Sequence, residues 1–408
     1  MNSTTKSLWG NRDYLLLWSG QIISLTGTGI SQLAFPLLLL ALTGSPAQAG
    51  LVGALRGLPF ILLSLPAGAL VDRWNRKKVM IFCDVGRALA LGSIPFAYAA
   101  GHLTIAQLYI TALIEGTLFT FFNLAETACL PQIVQKEQLS AASARNEATY
   151  NFTFLISPLL GGALFSLGKV LPFLTDAISY ILSVCSLGLI RTSFQQERKD
   201  TPLTLWTDIR TGLLWIWHQP LIRYLSILTG CINLIAISSE LIVIVIAQAE
   251  HASPFFIGIM FTAGGIGSTI GALLSAPIQK KVRFGSAIIG VCWLTVLLWP
   301  LYFIAFQPFM LAIIFASIAL VGPIYNVMQF SYRVTLIPDE LQGRVNSVFR
   351  LVAFGLQSLG LALTGVLLQR FGPTLTITIF LIFLLILAIA TTANPHVRHA
   401  AGHIDAIA

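Results

Sequence analysis

Apolar stretches long enough to cross a membrane recur along the whole chain, and they constrain its fold more than any other feature. A helix needs about 20 mainly apolar residues to span the hydrocarbon core of a bilayer. Charged residues make up only 10% of the sequence, whereas soluble domains contain about 25%. Mean hydropathy is +0.83. We therefore predict an all-α integral membrane protein with twelve spans, near residues 14–42, 47–71, 79–100, 104–126, 142–167, 171–190, 221–248, 254–278, 285–305, 309–333, 345–369 and 374–393.

Basic residues are distributed unevenly around these spans. Most of the 24 Lys and Arg residues fall in the N-terminal tail, the even-numbered connectors or the C-terminal tail, whereas Lys169 and Arg370 fall on the opposite side. Positive residues favour the cytoplasmic side, so both termini are predicted to be cytoplasmic and the chain to be a multi-pass protein of the cell (inner or plasma) membrane. This distribution predicts the lipid bilayer, and no nucleic acid, as the partner of a chain with net charge +8. The polar start MNSTTKSLWGNRDY leads directly into the first span, so we expect no cleavable signal before it.

A polar connector at 191–220 divides the predicted spans into six and six. Its first part, RTSFQQERKDTP, is charged. Its second part, LTLWTDIRTGLLWIWH, places Trp206, Ile209, Leu213 and Trp217 at helical spacing, which favours a helix along the cytoplasmic membrane interface. We predict an N-terminal six-helix half, a cytoplasmic linker with an interfacial helix, a C-terminal six-helix half and a cytoplasmic tail, over residues 1–190, 191–220, 221–393 and 394–408.

An internal repeat supports two related halves. GALVDRWNRKKV, at residues 68–79, aligns without gaps with GALLSAPIQKKV 203 residues later. The same offset pairs Asn123 with Asn326 and Glu126 with Gln329. Two homologous six-helix halves form a known transporter architecture.

The stretch GALVDRWNRKKV resembles the major facilitator superfamily signature Gly-x-x-x-Asp-Arg-x-x-Arg-Lys, found between spans two and three. LLLWSGQIISLTGTGIS, LPFLTDAISYILS and LIPDELQGRVNS are similar to the drug–proton antiporter branch that includes macrolide efflux proteins and the enterobactin exporter. The resemblance implies the major facilitator fold and alternating access between two halves. One element departs from the family: SPLLGG, Ser157 to Gly162, has Ser in place of the first Gly of the antiporter element Gly-Pro-x-x-Gly-Gly.

The resemblance also implies a cytoplasmic gate in this loop. In the superfamily, the acid that matches Asp72 closes the inner side of the transporter, and a carboxylate is favoured at a helix N-terminus. Arg87 is placed three residues from Asp84, where the two can pair on one helix. The predicted gate motif comprises Gly68, Asp72, Arg73, Arg76, Lys77, Asp84, Arg87 and Glu126.

Two glutamates within the spans are predicted proton-coupling residues, because an ionisable group at membrane depth is costly unless it has a partner or a function. Glu115 lies roughly 16 Å along span four at ~1.5 Å per residue, near the midplane. A protonated carboxyl bonded to a neighbouring helix is the alternative there. Glu240 lies nearer the outer surface, where an outer-gate contact is an equal alternative. Asp176, near the outer end of span six, is predicted to be structural.

Polar and aromatic side chains at helical spacing predict an amphipathic central cavity. Each of these side chains is also explained by hydrogen bonding between helices. The substrate-cavity candidates are Gln21, Ser24, Gln32, Phe119, Asn123, Asn233, Asn326 and Gln329.

These features predict a monomeric secondary transporter that exports an amphipathic or hydrophobic small molecule, with protons as the coupling ion. A dedicated exporter of a siderophore, or a lysophospholipid transporter, is the nearest alternative, and a non-transporting receptor or scaffold is a further one. The sequence contains no Walker-type phosphate loop, which argues against an enzyme and against ATP as the energy source. Five scattered Cys residues and the tail residues His396, His399 and His403 predict no metal site and no cofactor.

Overall fold

The computed structural model describes residues 8–192, 194, 205–305 and 307–400, with the backbone alone for residues 205–209. Within these ranges the regular elements are helices, and no strand occurs. This finding confirms the predicted all-α class. The helices are α1 (Arg12–Thr43), α2 (Pro46–Val71), α3 (Arg76–Ala99), α4 (Ile105–Ile133), α5 (Leu139–Leu167), α6 (Leu171–Leu189), α7 (Leu205–His218), α8 (Pro220–Ala249), α9 (Pro254–Lys281), α10 (Phe284–Leu298), α11 (Pro308–Leu336), α12 (Gln342–Ala393) and α13 (Pro395–Arg398).

Eleven helices in the described part of the chain are long and apolar enough to cross a membrane. The last of them, α12, contains 52 residues and includes both predicted spans 345–369 and 374–393. Inside it, Gly372 has φ 72° and ψ 177°, a conformation that breaks the helix and that glycine adopts readily. Pro373 follows, so the chain changes direction at the position of the predicted connector.

Helix starts follow from side chains that satisfy free backbone N–H groups. Asn75 caps α3 by accepting a bond from the Lys78 amide, and Thr104 caps α4 in the same way. Helix ends were harder to predict. Span four was expected to end at residue 126, where polar residues begin, but α4 continues to Ile133 because its backbone hydrogen bonds do not depend on hydropathy.

The predicted interfacial helix corresponds to α7, which covers Leu205–His218. Leu213 and Trp217 are exposed, and the Arg223 guanidinium lies 5.0 Å from the centre of the Trp217 ring. The side chains of Trp206 and Ile209 lie outside the described residues, as do residues 195–204 of the linker and the tail from 401, including His403.

The chain forms two compact units. The first comprises Met1–Leu39 and Leu55–Leu205, and the second comprises Leu40–Ala54 and Trp206–Ala408. In the first unit, α3 packs closely against both α4 and α6. In the second unit, α9 packs against α11, and α8 packs against α12.

Glycine permits the closest helix contacts in each unit. A Cβ at Gly116 of α4 would overlap the backbone carbonyl of Arg56 in α2, so these helices touch through their backbones. In the second unit, a Cβ at Gly271 of α9 would overlap the carbonyl oxygen of Leu320 in α11. Small residues at such crossings let transmembrane helices approach closely.

Candidate functional site

Five ionisable side chains from four helices lie together in the interior of the first unit. Each of them belongs to a membrane-spanning helix. Their exposed fractions are 0% for Asp84 and Asp176, 1% for Arg87 and Glu115, and 15% for Arg56. We call this group the buried charge cluster: Arg56 of α2, Asp84 and Arg87 of α3, Glu115 of α4 and Asp176 of α6.

Glu115 is held by both arginines. Arg56 Nε lies 2.5 Å from Glu115 Oε2, and Arg87 Nη2 lies 3.1 Å from Glu115 Oε1. Each carboxylate oxygen therefore has its own guanidinium partner. This pairing offsets the cost of burying charge, because ionised groups in a low-dielectric interior require close partners. The arrangement ties α2, α3 and α4 together at one level.

Arg87 connects this pair to two further helices. Its Nη1 lies 3.4 Å from Asp84 Oδ1, which places the predicted partners Arg87 and Asp84 in contact. Its Nη2 donates to Thr28 Oγ1 of α1 at 3.1 Å, and that hydroxyl lies 2.8 Å from the Tyr180 hydroxyl of α6. The guanidinium also lies 4.0 Å from the centre of the Tyr180 ring, a favourable cation–π distance.

Asp176 differs from the other two acids of the cluster. Its Oδ1 accepts a hydrogen bond from Ser179 Oγ at 3.2 Å, while its buried Oδ2 has no hydrogen-bond partner in the described residues. A Cβ at Gly27 of α1 would overlap Asp176 Oδ1, so glycine provides the space that this carboxyl occupies. Asp176 is therefore a fully enclosed residue of the cluster.

The predicted proton-coupling residues occupy different surroundings. Glu115 lies in the buried charge cluster of the first unit. Glu240 lies in α8 of the second unit and is partly buried, and within the described ranges its carboxyl makes no ion pair or hydrogen bond. Glu115 is therefore the paired acid and Glu240 the unpaired one.

The cavity candidates fall into both units. Gln21, Ser24 and Gln329 are buried, and Gln32 and Asn326 are exposed. The remaining three are partly buried: Phe119 with its ring centre 5.5 Å from the Arg87 guanidinium, Asn123, and Asn233 with its amide bonded to the Ala353 carbonyl at 3.0 Å.

The predicted gate motif lies where α2 ends and α3 begins. Asp72 and Arg73 are exposed, and Asp72 pairs with Arg76 at 3.2 Å. Arg76 also donates to the Ala128 carbonyl of α4 at 2.9 Å. Lys77 donates to the Ile190 carbonyl at 2.7 Å, which joins α3 to the chain after α6.

Two acids of the motif, Asp84 and Glu126, do not pair with the loop residues Arg73, Arg76 or Lys77 in the described part of the chain. Glu126 belongs to the predicted gate motif, but it makes no ion pair within the described residues. Asp84 instead pairs with Arg87, well inside α3. Gly68 is partly buried, with open space where a Cβ would be.

Sequence reasoning missed two features of the site. It predicted no partner for Arg56, which lies within span two, and it did not identify Tyr180 and Thr28 as contacts of Arg87. Arginines inside predicted spans, such as Arg56 and Arg87, are a usable signal, because each one requires a nearby acid. In the second unit, Arg333 of α11 follows Gln329 by one helical turn in the polar stripe of span ten, is 4% exposed and lies 3.7 Å from the centre of the Phe349 ring. Its Nε and Nη1 have no hydrogen-bond partner among the described residues.

Apolar helices of spanning length that enclose an ionisable cluster define a polytopic membrane protein of the transporter class. The sequence profile of the Major Facilitator Superfamily matches residues 17–360, and the chain belongs to that family. The predicted transporter class, as opposed to an enzyme, is thereby confirmed.

The relatives of the chain include two kinds of exporter. The multidrug efflux pump Tap of Mycolicibacterium fortuitum is 26% identical over 398 residues, which cover 94% of this chain and 96% of Tap. The enterobactin exporter EntS of Salmonella typhi is 25% identical over 349 residues, which cover 85% of this chain and 83% of EntS. The predicted resemblance to efflux proteins is confirmed at this level of identity.

Solved structures show the same fold. A bacterial homologue of the iron transporter ferroportin, in an inward-facing state, matches with a TM-score of 0.72 and 16% identity over 93% of this chain and 98% of that one. The nucleoside transporter NupG matches with a TM-score of 0.71 and 18% identity over the same shares of the two chains. At these identities the likeness describes architecture alone.

Proposed function

We propose that the protein is a secondary exporter that moves amphipathic or hydrophobic compounds out of the cell in exchange for protons. The observation that carries the proposal is the buried charge cluster, a set of ionisable groups from four spanning helices of a Major Facilitator Superfamily member. Such groups are expensive at membrane depth and are characteristic of ion pathways and proton relays. Similarity to Tap over nearly the whole chain supports export and a broad range of compounds.

The cluster also supports the form of energy coupling. Asp84 and Glu115 each pair with a guanidinium, whereas Asp176 does not. The cluster therefore contains acids with different electrostatic surroundings. A change in their protonation alters the electrostatic interactions between the helices that meet there, which are α1, α2, α3, α4 and α6. Alternating access requires such a link between ion binding and helix position.

We further propose twelve spans with both termini in the cytoplasm, a location in the cell membrane and a monomeric transporter built from two six-helix halves. The break at Gly372 supports two spans within α12. The basic residues of the connector at Arg73, Arg76, Lys77 and Lys78 support a cytoplasmic position for it. Single-cysteine labelling with a membrane-impermeant maleimide tests the topology: His102 and Arg370 replaced by Cys should react from outside, and Asn75 replaced by Cys should not.

Transport into inverted membrane vesicles tests the function. The panel comprises a macrolide, ethidium, enterobactin and a fluorescent lysophospholipid, each with and without an imposed pH gradient. We expect uptake of the macrolide or ethidium that depends on acidic vesicle interiors and that stops when an uncoupler is added. Vesicles without the protein are the control. Uptake that survives the uncoupler would exclude proton coupling.

A dedicated exporter of a siderophore is a second candidate. It is favoured by similarity to EntS and by Arg333, a buried guanidinium with no acceptor at two of its nitrogens, which suits an anionic or strongly hydrogen-bonding substrate. Uptake of enterobactin alone from the same panel would establish this candidate in place of the broad exporter.

A further inference from the structure

We propose that Asp176 carries the transported proton, an assignment that rests on the proton-coupled export proposed above and deepens it. Asp176 is 0% exposed and lies in α6, which packs against α3 and meets α1 at Gly27. It is one of three acids in the buried charge cluster. The three acids differ in whether a guanidinium group forms an ion pair with them.

Two of the acids are paired and one is not. Asp84 and Glu115 each lie within 4.0 Å of a guanidinium nitrogen. Within the described part of the chain, Asp176 has no ion pair at that distance. Its hydrogen-bonding neighbours are the neutral hydroxyls of Ser179 and Ser31, and its Oδ2 makes no hydrogen bond of good geometry. An ionised carboxylate without a counter-ion or a full set of donors is unfavourable in an apolar interior. The site therefore accommodates Asp176 best with a proton on Oδ2.

The net charge of the cluster also favours a protonated Asp176. Two guanidinium groups face three carboxyl groups, so the cluster is neutral when one acid is protonated and has a net charge of −1 when none is. The charged groups nearest Asp176 on the surrounding helices are Arg56, Arg87 and Glu115, and α1 contributes the neutral Ser31. Glu115 and Asp84 already form ion pairs with the two guanidinium groups. Asp176 is therefore the acid whose protonation sets the net charge of the cluster.

The contact between Tyr180 and Arg87 can transmit a change in the protonation of Asp176 to the neighbouring helices. Tyr180 follows Asp176 by one helical turn on the same face of α6, and its ring lies against the Arg87 guanidinium. Release of the Asp176 proton leaves a new negative charge beside the cation that joins α3 to α4. Arg87 is therefore the positioning residue through which proton occupancy reaches Glu115 and Arg56.

The proton step requires no further reactant. One proton from the outer side forms the O–H bond at Asp176 Oδ2, and that bond breaks when the proton leaves to the cytoplasm, while the exported compound moves in the opposite direction. Glu240, the second proton-coupling residue predicted from the sequence, is the rival carrier. It lies in the second unit, and none of the four ion pairs of the described residues involves it.

Infrared difference spectroscopy tests where the proton resides, with the proton itself as the probe. The purified protein in lipid nanodiscs is taken through a pH jump, and the C=O band of a protonated carboxyl is followed. We expect this band to shift when the protein is labelled with ¹³C-aspartate, to disappear in Asp176→Asn and to remain in Asp84→Asn. Because the labelling uses the wild-type protein, the test holds even where a variant fails to fold. A band that shifts with ¹³C-glutamate instead would overturn the assignment.

Flux measurements test whether this proton is the transported one. In proteoliposomes with ethidium as the probe, Asp176→Asn should lose ethidium-driven proton movement while retaining exchange of ethidium for ethidium. Asp176→Glu should restore part of the coupling, and Glu137→Gln, an exposed acid changed to its amide, should behave as wild type. Coupled flux that persists in Asp176→Asn while Glu240→Gln abolishes it would transfer the role to Glu240. Absence of any proton-driven flux in the wild-type protein would refute proton-coupled export itself. This result differs from failure of the Asp176 assignment, in which the wild-type protein still shows coupled flux.

Discussion

Arg56 and Glu115, which are 59 residues apart in the sequence, meet at 2.5 Å between Nε and Oε2 inside the first unit. A Cβ at Gly116, the next residue along α4, would overlap the Arg56 backbone. The close helix contact and the ion pair therefore lie side by side. The pair links two helices of membrane-spanning length, α2 and α4.

Replacement of Glu115 by Gln should destabilise the protein and impair transport. The substitution leaves two buried guanidinium groups short of one acceptor charge, and removal of one partner of a buried pair costs about 3–5 kcal/mol. Arg56→Gln should also destabilise, whereas the double substitution should cost less than the sum, because it removes both charges together. Thermal unfolding in detergent, followed by tryptophan fluorescence, measures this cycle. Additive losses would contradict a direct coupling, and export by Glu115→Gln at the wild-type rate would remove Glu115 from any role in proton movement.

The loop between α2 and α3 gives a contrasting case. Asp72 pairs with Arg76, but its side chain is 70% exposed, and exposed pairs contribute about 0–1 kcal/mol. Asp72→Asn should therefore leave insertion and thermal stability unchanged. Transport should fall if Asp72 has the gate role that the superfamily signature implies, because the second copy of the repeat has Ser275 at this position and offers no substitute acid. Glu137→Gln is the matched control. If Asp72→Asn transports as well as this control, the charges of the loop serve only to fix its side of the membrane.

The fold class could be predicted from the sequence because each membrane span is recognised from its own apolar composition, without knowledge of its neighbours. Long apolar runs, the charged connectors and the superfamily signature together predicted the long apolar helices, and helical spacing in the linker predicted the helix α7. Boundaries shifted where helical hydrogen bonding continues past the apolar run, as at the end of α4. Such shifts follow from backbone geometry, which hydropathy does not register.

The site was predictable only in part, because its partners come from separate helices. Glu115 stood out as an acid at membrane depth, and Asp84 and Arg87 stood out as an (i, i+3) pair. Their connection depends on how α2, α3 and α4 rotate against each other, and a single sequence does not specify that rotation. Asp176 was assigned to a helix start because it lies near one end of span six, while its enclosure depends on Gly27 in α1.

The hydroxyl of Tyr180 should matter less than its ring. Tyr180→Phe removes the hydrogen bond to Thr28 but keeps the aromatic face against Arg87, so we expect a loss of about 0.5–1.5 kcal/mol in unfolding free energy. Tyr180→Leu removes both contacts and should cost more and impair transport. Thermal unfolding and ethidium flux compare the two variants. Equal effects would show that the cation–π contact contributes little.

The contact between α9 and α11 should tolerate no added methyl group. Gly271→Ala forces its Cβ onto the Leu320 carbonyl, and overpacking of this kind costs about 1–3 kcal/mol. Gly290→Ala is the matched control, because that glycine is exposed in α10 and has open space where the Cβ would lie. The apparent Tm should fall for Gly271→Ala and remain or rise for Gly290→Ala. Equal Tm values for the two variants would contradict the backbone contact.

Arg333→Gln should separate stability from function in the second unit. The guanidinium is buried with two nitrogens unpartnered, so its removal relieves a buried charge, although it also removes a cation–π contact with Phe349 of about 1 kcal/mol. We expect an apparent Tm equal to or above that of the wild type. If Arg333 binds an anionic group of the exported compound, uptake of enterobactin should fall while uptake of ethidium continues, and Arg333→Lys should restore part of it by returning the charge. A lower Tm with unchanged uptake of both compounds would show that Arg333 serves packing alone.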